Sequence, residues 1–150
     1  MISEMLKLEN IQIIESDKDW KEAIHLSLEP LVNGGYVTEN YEAAIIKCTE
    51  EYGPYYVLAD DIALIHGRPE DGVLEKQLSI TVVRQPIQFM NDGQNVRVLI
   101  ALGASDANSH IDVMKVLSLL LMDESKIKEL AEATSEQQIY EMLTKAESNL

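Results

Sequence analysis

The sequence predicts one domain over residues 1–150, of the α/β or α+β class, with helices packed on the faces of a β-sheet. Its 150 residues are enough to bury one core, and 46% hydrophobic with 25% charged residues is the composition of a folded globular protein. Apolar residues at helical spacing come first, short apolar runs typical of strands follow, and helical spacing returns at the end. This order of elements in one short chain predicts a layered sheet-and-helix fold.

Two helices are predicted at the start of the chain. Ser16 and Asp17 are candidate N-caps for the first, because their side-chain oxygens can accept hydrogen bonds from the free amides of a helix start. Thr38 caps the second, which ends at Gly53-Pro54. Helical spacing places Cys48 on the apolar face of the second helix, so we expect its thiol to face the core.

Short apolar runs in the middle of the chain predict strands. They are rich in β-branched and aromatic residues, and the turn residues Asn91-Asp92-Gly93 separate the last two. The last run has enough apolar residues for both of its faces to be covered. The four predicted strands are 55–58, 62–65, 78–83 and 96–102.

Three further helices complete the prediction. Ser109 and Asp112 have the spacing of a capping box, which predicts a helix that begins after Ser109 and runs to residue 121. Two amphipathic helices follow, at 126–133 and 135–146. The apolar residues of the last helix leave two interpretations open, the core of the domain and the interface of a homodimer.

The charge balance restricts the classes of partner. With 12 Lys and Arg against 26 Asp and Glu, the formal net charge is −14. Such a surface repels phosphate backbones and anionic lipids, which argues against nucleic acid or a membrane surface as a partner and favours a protein with a basic face. One cysteine excludes an intrachain disulfide, the first twenty residues lack a signal pattern, and no apolar run could span a bilayer, so we expect a cytoplasmic protein without direct membrane insertion.

Motifs of several enzyme classes are absent. The sequence contains neither GxxxxGK[ST] nor GxGxxG, which disfavours nucleotide-dependent enzymes. The three histidines are not at metal-ligand spacing, so no metal site is predicted from local sequence. The segment 103–107 lies where a GxSxG nucleophile would lie, but it lacks the last glycine, and a connecting loop is the simpler interpretation of Ser105. Cys48, as a core thiol, would be inert.

Two histidines stand where a chemical site could form. His66 follows an apolar strand, and Gly67 beside it lets a ligand or another backbone approach closely. His110 stands at the predicted start of a helix, where free amides and the helix dipole favour anions. Taken alone, a histidine in either position is more often an ordinary surface residue than part of a chemical site. If the fold brings them together, they could hold a phosphoryl group on one imidazole, because neutral imidazole is nucleophilic near pH 7.

The segment Ile62-Ala63-Leu64-Ile65-His66-Gly67 resembles the I-A-x-P-H-G/A signature of enzyme IIA in the mannitol/fructose superfamily. These proteins belong to the bacterial phosphoenolpyruvate-dependent sugar phosphotransferase system. Tyr52-Gly53-Pro54-Tyr55 upstream and the segment 66–73 downstream are similar to the ascorbate-type branch. The segment 106–110 is similar to the second histidine segment of the superfamily.

The resemblance implies a small mixed β-sheet flanked by helices on both faces, no bound cofactor, and a phosphotransferase activity. His66 would accept a phosphoryl group from the histidine phosphocarrier protein HPr and pass it to a cysteine of the cognate IIB component, which serves the IIC membrane permease. His110 would orient or stabilise the phosphohistidine. The sugar would be ascorbate or a related pentose or hexitol, although a IIA component itself contacts only proteins.

This sequence departs from the superfamily pattern near His66. Ile65 replaces the usual proline, and Asp60-Asp61 replaces the usual Pro-Gly, so we expect a looser and more acidic local backbone. Members for mannitol and fructose carry an arginine on the second helix, near Cys48 here. We therefore expect Arg68, together with Gly67, to contact the phosphate.

An alternative of a different class is a regulatory protein of the same fold. In that case phosphorylation of His66 would change which protein it binds and would not feed a transporter. The replacement of proline by Ile65 favours this alternative, since it alters the donor-facing segment.

Overall fold

The structure is a computed structural model whose described residues are 2–15, 19–89 and 95–148, without the side chains of residues 107 and 109. The predicted caps Ser16 and Asp17 and the predicted turn Asn91-Asp92-Gly93 lie outside the described residues. The described strands are β1 Leu6–Ile14, β2 Val57–Ala59, β3 Asp61–Ile65, β4 Gln77–Gln88 and β5 Asn95–Gly103. The described helices are α1 Ile2–Met5, α2 Trp20–Asn33, α3 Glu39–Tyr52, α4 Ala107–Leu121, α5 Glu124–Ala131 and α6 Glu136–Ser148, with a 3₁₀ turn at Pro69–Asp71.

The five strands form one mixed sheet in the order β1-β4-β5-β3-β2. The pairs β1·β4 and β3·β5 are parallel, and the pairs β4·β5 and β2·β3 are antiparallel. In the centre of the sheet, Ile65 at the end of β3 is in register with Ala101 of β5. The carboxyl ends of these two strands therefore meet at one edge of the sheet, where α/β proteins build their sites.

Helices cover both faces of the sheet, as predicted. Along β3, Ile62 and Leu64 pack into a core with residues of α1, α4, α5 and α6, whereas Ala63 and Ile65 pack into a second core with residues of α2 and α3. The alternation follows from the twofold side-chain period of a strand. A strand that is apolar at every position is thus buried on both sides, which is why 62–65 reads as a continuous apolar run.

The backbone enters β3 through an unusual conformation. Asp61 has φ of 72°, which makes it the one described non-glycine residue with a positive φ. Its carboxylate accepts two hydrogen bonds from Arg97 on β5, each at 2.9 Å. An aspartate therefore adopts the left-handed conformation that glycine adopts most easily, and an ion pair to the neighbouring strand holds it there.

Sequence patterns did not predict the first two elements, α1 and β1. Strand β1 lies at the edge of the sheet, and its pairing with β4 is interrupted between Leu6 and Ile11. Most of its side chains are at least partly exposed, so the strand lacks the apolar run that marked the others. An interrupted edge strand is also protected against pairing with another chain.

The observed starts of three helices can be compared with the starts predicted from capping residues. The N-cap of α2 is Asp19, whose side chain accepts a hydrogen bond from the amide of Glu22 at 2.8 Å. Thr38 takes the N-cap position of α3, as predicted. The predicted capping box was wrong, because α4 begins at Ala107 and its first turn already includes Ser109 and His110. The start was predicted wrongly because the capping pattern at Ser109 and Asp112 lies inside the helix and not at its first residue.

The last helix belongs to the core of the domain. Ile139 and Leu143 of α6 are buried among residues of the sheet and of α4. Of the two interpretations left open by the sequence, the structure assigns these apolar residues to the core. Among the described residues, no helix is both long enough and apolar enough to cross a bilayer.

Candidate functional site

His66 lies immediately after β3, at the carboxyl edge of the sheet, and is half-buried. Its Nδ1 lies 2.7 Å from the carbonyl oxygen of Leu64. A carbonyl can only accept a hydrogen bond, so Nδ1 carries the hydrogen and Nε2 of the neutral ring carries the lone pair. The strand end thus selects one tautomer and leaves Nε2 as the nucleophilic nitrogen.

The surroundings of His66 favour its neutral form. Burial lowers the pKa of the imidazole below its ordinary value of 6.5, the hydrogen bond to the Leu64 carbonyl opposes this shift, and the nearby His110 lowers the pKa further. Neutral imidazole is the form with a nucleophilic nitrogen. At neutral pH the ring is therefore ready to act as a nucleophile without first losing a proton.

The fold brings the two candidate histidines together, although they are far apart in sequence. The ring centroids of His66 and His110 are 5.6 Å apart, with the ring planes inclined by 54°. His110 lies in the first turn of α4, which follows β5, the strand next to β3. Both rings line a cleft of about 530 Å³, the histidine cleft, together with Gly67, Leu102, Ser105 and Asp106. The start of α4 directs its positive dipole end to this cleft, which favours an anion there.

Tyr41 holds the segment after His66 against the sheet. Its side chain is fully buried; the hydroxyl donates to the carbonyl of Leu102 at 2.6 Å and accepts from the amide of Gly67 at 2.9 Å. Burial raises the pKa of Tyr41 to about 12, so the phenol stays neutral and can make both bonds. This bridge joins the end of β5 to the residue that follows His66.

Gly67 packs closely against α3. A Cβ atom at this position would lie 3.1 Å from Cγ1 of Ile45 and 3.4 Å from Cε1 of Tyr41. Its amide already donates to the Tyr41 hydroxyl. The expectation that Gly67 contacts a phosphate stays a prediction, and a phosphate would compete with Tyr41 for that amide.

Tyr55 contacts His66 through both its ring and its hydroxyl. The hydroxyl donates to the backbone carbonyl of His66 at 2.6 Å. The two rings are nearly perpendicular, with centroids 5.6 Å apart. Tyr55 therefore restrains the backbone and one side of the imidazole at once.

Arg68 lies beside His66 but is engaged by an acidic neighbour. Its Nε and Nη2 donate to the two carboxylate oxygens of Asp71 at 3.2 and 3.3 Å. A second cleft, which we call the arginine cleft, is lined by Cys48, Tyr55, His66, Arg68 and Asp71. The guanidinium is thus on the same side of the molecule as the imidazole, with its charge directed at a carboxylate.

The prediction that Cys48 faces the core was wrong. The residue is half-buried and lines the arginine cleft, because it stands at the edge of the apolar face of α3, where the helix meets the segment after His66. Helical spacing identifies the face of a helix but not which positions at its edge another segment covers.

The alternative nucleophile Ser105 is exposed in the loop before α4. Within the described part of the chain no hydrogen bond joins its hydroxyl to His66 or His110, the two histidines that line the same cleft. Likewise, no three described His, Cys, Asp or Glu side chains converge as metal ligands would.

Comparison with known families shows which family the chain belongs to. The family model described as phosphoenolpyruvate-dependent sugar phosphotransferase system, EIIA 2, matches residues 4–146. The chain belongs to this family. The family predicted from the motif around His66 is therefore confirmed, and so is its class of activity, phosphoryl transfer by a component of the sugar phosphotransferase system.

Relatives in the EIIA 2 family have two different substrates in their names. The mannitol-specific cryptic phosphotransferase enzyme IIA component of Escherichia coli strain K12 is 38% identical over 144 residues, which is 96% of this chain and 98% of the relative. The ascorbate-specific EIIA component of the same strain is 31% identical over 137 residues, or 89% and 88% of the two chains.

Solved structures of the family share the fold. A solution structure of the mannitol-specific cryptic enzyme IIA from Escherichia coli has a TM-score of 0.87 at 38% identity and covers 96% of this chain and 98% of its own. Enzyme IIA for mannitol from Escherichia coli, in complex with phosphorylated enzyme IIB, has a TM-score of 0.78 at 32% identity, covering 94% and 99%. That mannitol enzyme IIA thus binds its phosphorylated IIB component.

Sequence reasoning did not assign roles to three residues that contact the site, Tyr41, Tyr55 and Asp71. Tyr55 and Asp71 lie in the segments that resemble the ascorbate-type branch, so the motif contained them without indicating their contacts. Tyr41 had only the signal of a core-facing helix position. A buried tyrosine needs a partner for its hydroxyl, and that need was the available hint.

Proposed function

We propose that His66 is the phosphoryl carrier of this enzyme IIA component, receiving the group from phospho-HPr and passing it to a cysteine of a IIB component. The observation that carries the proposal is the hydrogen bond from Nδ1 of His66 to the carbonyl of Leu64, because it leaves Nε2 as the nucleophile. The family of the chain and the structure of a related IIA with a phosphorylated IIB support this direction of transfer.

In the first transfer, Nε2 of His66 attacks the phosphorus atom of the donor phosphohistidine. The P–N bond of the donor breaks as the P–Nε2 bond forms, and no proton needs to leave the ring. The imidazole gains positive charge in this step, and the Leu64 carbonyl at Nδ1 stabilises that charge through the same hydrogen bond. In the second transfer, the acceptor cysteine attacks as its thiolate, the P–Nε2 bond breaks as the P–S bond forms, and His66 leaves as neutral imidazole with its hydrogen still on Nδ1.

His110 and the start of α4 would stabilise the phosphoryl group. With the ring centroids 5.6 Å apart, a ring N–H of His110 can donate to a phosphoryl oxygen on His66. The dipole of α4 acts in the same direction. Arg68 is the proposed cationic contact, and Gly67 the proposed close backbone contact.

The transported sugar is proposed to be ascorbate or a related pentose or hexitol. The segments 52–55 and 66–73 favour the ascorbate-type branch, whereas a relative at 38% identity is mannitol-specific. The proposed route of uptake is a IIC permease of the same transport system, which the cognate IIB component would serve.

The proposal is tested by incubating the protein with phosphoenolpyruvate, enzyme I and HPr and measuring intact mass at neutral pH. Wild type, His110→Ala and the matched control His25→Ala, an exposed histidine on α2, should each gain one acid-labile phosphoryl group. His66→Ala should gain none. Long-range NMR correlation between ¹⁵N and ³¹P should place the phosphorus on Nε2.

Two results would overturn the proposal. A label that persists in His66→Ala would place the phosphoryl group elsewhere. A folded wild type that takes no label from phospho-HPr would favour the regulatory alternative, in which the fold is retained without the donor reaction.

A further inference from the structure

Arg68 is paired with Asp71, although its positive charge would also be needed to stabilise the proposed phosphohistidine. The guanidinium makes a two-point contact with the carboxylate, at 3.2 and 3.3 Å. Among the described residues that line the arginine cleft with His66, Arg68 is the one permanent cation. In a chain with a net charge of −14, few cations offset the charge of an added phosphoryl group.

The two partners differ in how firmly the fold holds them. The backbone carbonyl of Asp71 accepts a hydrogen bond from the side chain of Asn40 at 2.8 Å, and the next residue, Gly72, accepts one from the amide of Thr38 at 2.9 Å. The Asp71 side chain is 20% exposed and that of Arg68 is 72% exposed. The backbone that carries the Asp71 carboxylate is therefore held against the start of α3, and the Asp71 side chain is the less exposed of the two, whereas the Arg68 side chain can change its rotamer in solvent without moving the backbone.

We propose that Asp71 and a phosphoryl group on His66 compete for Arg68, so that the Arg68–Asp71 ion pair sets how strongly this protein retains the phosphoryl group. The proposal rests on the proposed function of His66. In the unphosphorylated protein the guanidinium binds Asp71. When the P–Nε2 bond forms, the dianionic phosphoryl oxygens attract the guanidinium more strongly than the carboxylate monoanion does.

Asp71 is thus a positioning residue that acts through Arg68. By holding Arg68 in the unphosphorylated state, it reduces the net gain from the arginine–phosphoryl contact. That favours onward transfer, because a carrier that binds its group too firmly is a poor donor. No proton or electron moves in the exchange; one charge-assisted hydrogen-bonded pair replaces another.

The test is the equilibrium constant for phosphoryl exchange with phospho-HPr, measured by intact mass. Asp71→Asn keeps the backbone contact to Asn40 and removes the charge that makes the two-point contact with Arg68, while the more distant carboxylate of Glu70, 3.8 Å from Nε of Arg68, remains. It should shift the equilibrium toward the phosphorylated protein by about two- to fivefold, the range for an exposed ion pair. Arg68→Gln should shift it in the opposite direction. Glu136→Gln, the same charge change on the distant helix α6, should leave the constant unchanged.

The double variant Arg68→Gln/Asp71→Asn separates competition from simple charge repulsion. Under the proposal it behaves like Arg68→Gln alone, because Asp71 has no arginine to withhold. If Asp71→Asn increases phosphoryl retention equally in both backgrounds, or in neither, the proposal is wrong. This failure differs from failure of the proposed function, in which the wild type would take no label. Thermal unfolding of each variant checks that it is folded.

Discussion

The hydroxyl of Tyr55 donates a hydrogen bond to the backbone carbonyl of His66 at 2.6 Å, while the tyrosine ring stands edge-on to the imidazole. One side chain thus restrains both the backbone and the ring of the residue proposed to carry the phosphoryl group. The orientation of a nucleophile affects the rate of its reaction, because a small displacement moves the reacting atoms out of the geometry in which they react.

Tyr55→Phe keeps the ring contact and removes the hydrogen bond. We expect the rate of phosphoryl transfer from phospho-HPr to fall by about three- to tenfold, the equivalent of one hydrogen bond. Tyr55→Leu removes both contacts and should lower the rate further. Rapid-quench kinetics measure the effect, with Tyr52→Phe, a tyrosine that is 79% exposed, as the control. Equal rates for Tyr55→Phe, Tyr55→Leu and wild type would refute a role for Tyr55 in positioning.

Tyr41→Phe should destabilise the protein. The change leaves the Leu102 carbonyl and the Gly67 amide without their common partner in the described structure. We expect the free energy of unfolding to fall by about 1–3 kcal/mol, the cost of unsatisfied buried polar groups. Urea denaturation measures it, and Tyr52→Phe should stay within about 0.5 kcal/mol of wild type. A loss as small as that of the control would mean that water replaces the phenol.

Substitutions at Asp61 separate the effect of its backbone conformation on stability from the effect of its ion pair with Arg97. Asp61→Ala loses the Arg97 contact and retains a side chain at positive φ, whereas Asp61→Gly loses the contact and relieves the backbone. We therefore expect Asp61→Gly to be more stable than Asp61→Ala by about 1 kcal/mol. Chemical denaturation of the two variants provides the comparison. Equal stability would show that the left-handed conformation costs nothing here.

The glycines near the 3₁₀ turn, Gly67 two residues before it and Gly72 directly after it, should differ in their tolerance of alanine. At Gly72, φ is 144° and a Cβ atom would lie 2.1 Å from Oγ1 of Thr38, so we expect Gly72→Ala to cost about 2–3 kcal/mol of stability. At Gly67 the nearest atom is a flexible Ile45 side chain at 3.1 Å, and we expect a cost below about 1 kcal/mol. Thermal unfolding distinguishes them; a larger loss at Gly67 would contradict the described loop.

Stability should depend on pH through His66. Burial is the main reason that its pKa in the folded protein lies below 6.5, with the Leu64 hydrogen bond opposing and His110 adding to the decrease. As pH falls through 6.5, the unfolded chain therefore binds a proton before the folded one does, and stability is lost until the folded-state pKa is passed.

NMR titration of the ring resonances should give a pKa for His66 below 6.5, and His110→Ala should raise it only in part, because burial remains. Urea denaturation at pH 7.5 and 5.5 should show a smaller loss on acidification in His66→Gln than in wild type. A measured pKa of 6.5 or above would contradict the described burial.

Local sequence predicted β3 and β5 to within one residue at each end because their signal is local, whereas the predicted strand 78–83 covers only half of β4. The run 62–65 is apolar at each position, which is the mark of a strand covered on both faces, and β3 was found within one residue of its observed start. Strand β1 was missed because it lies at the sheet edge with an interrupted register. Its exposed side chains depend on neighbours that local sequence does not reveal.

The candidate site was predicted in its residues but not in its contacts. The motif around His66 identified the histidine, the family and the second histidine segment. It did not reveal that Tyr41 joins Gly67 to Leu102, or that Asp71 engages Arg68. The hydrogen bonds of Tyr41 join different elements and have no periodic signal, because they depend on which elements pack together. Arg68 and Asp71 are only three residues apart, but their spacing alone does not predict the 3₁₀ turn in which they meet.

By itself the sequence determined the order of the central elements, the family and the position of His66 at a strand end, since apolar periodicity and a contiguous motif are local properties of the chain. Only the tertiary structure decided that His110 lies 5.6 Å from His66, that Nδ1 of His66 is bound to the Leu64 carbonyl, and that Cys48 lines a cleft. The pairing of β3 with β5 produces the first of these, because the order of strands in the sheet brings the loop before α4 next to the end of β3.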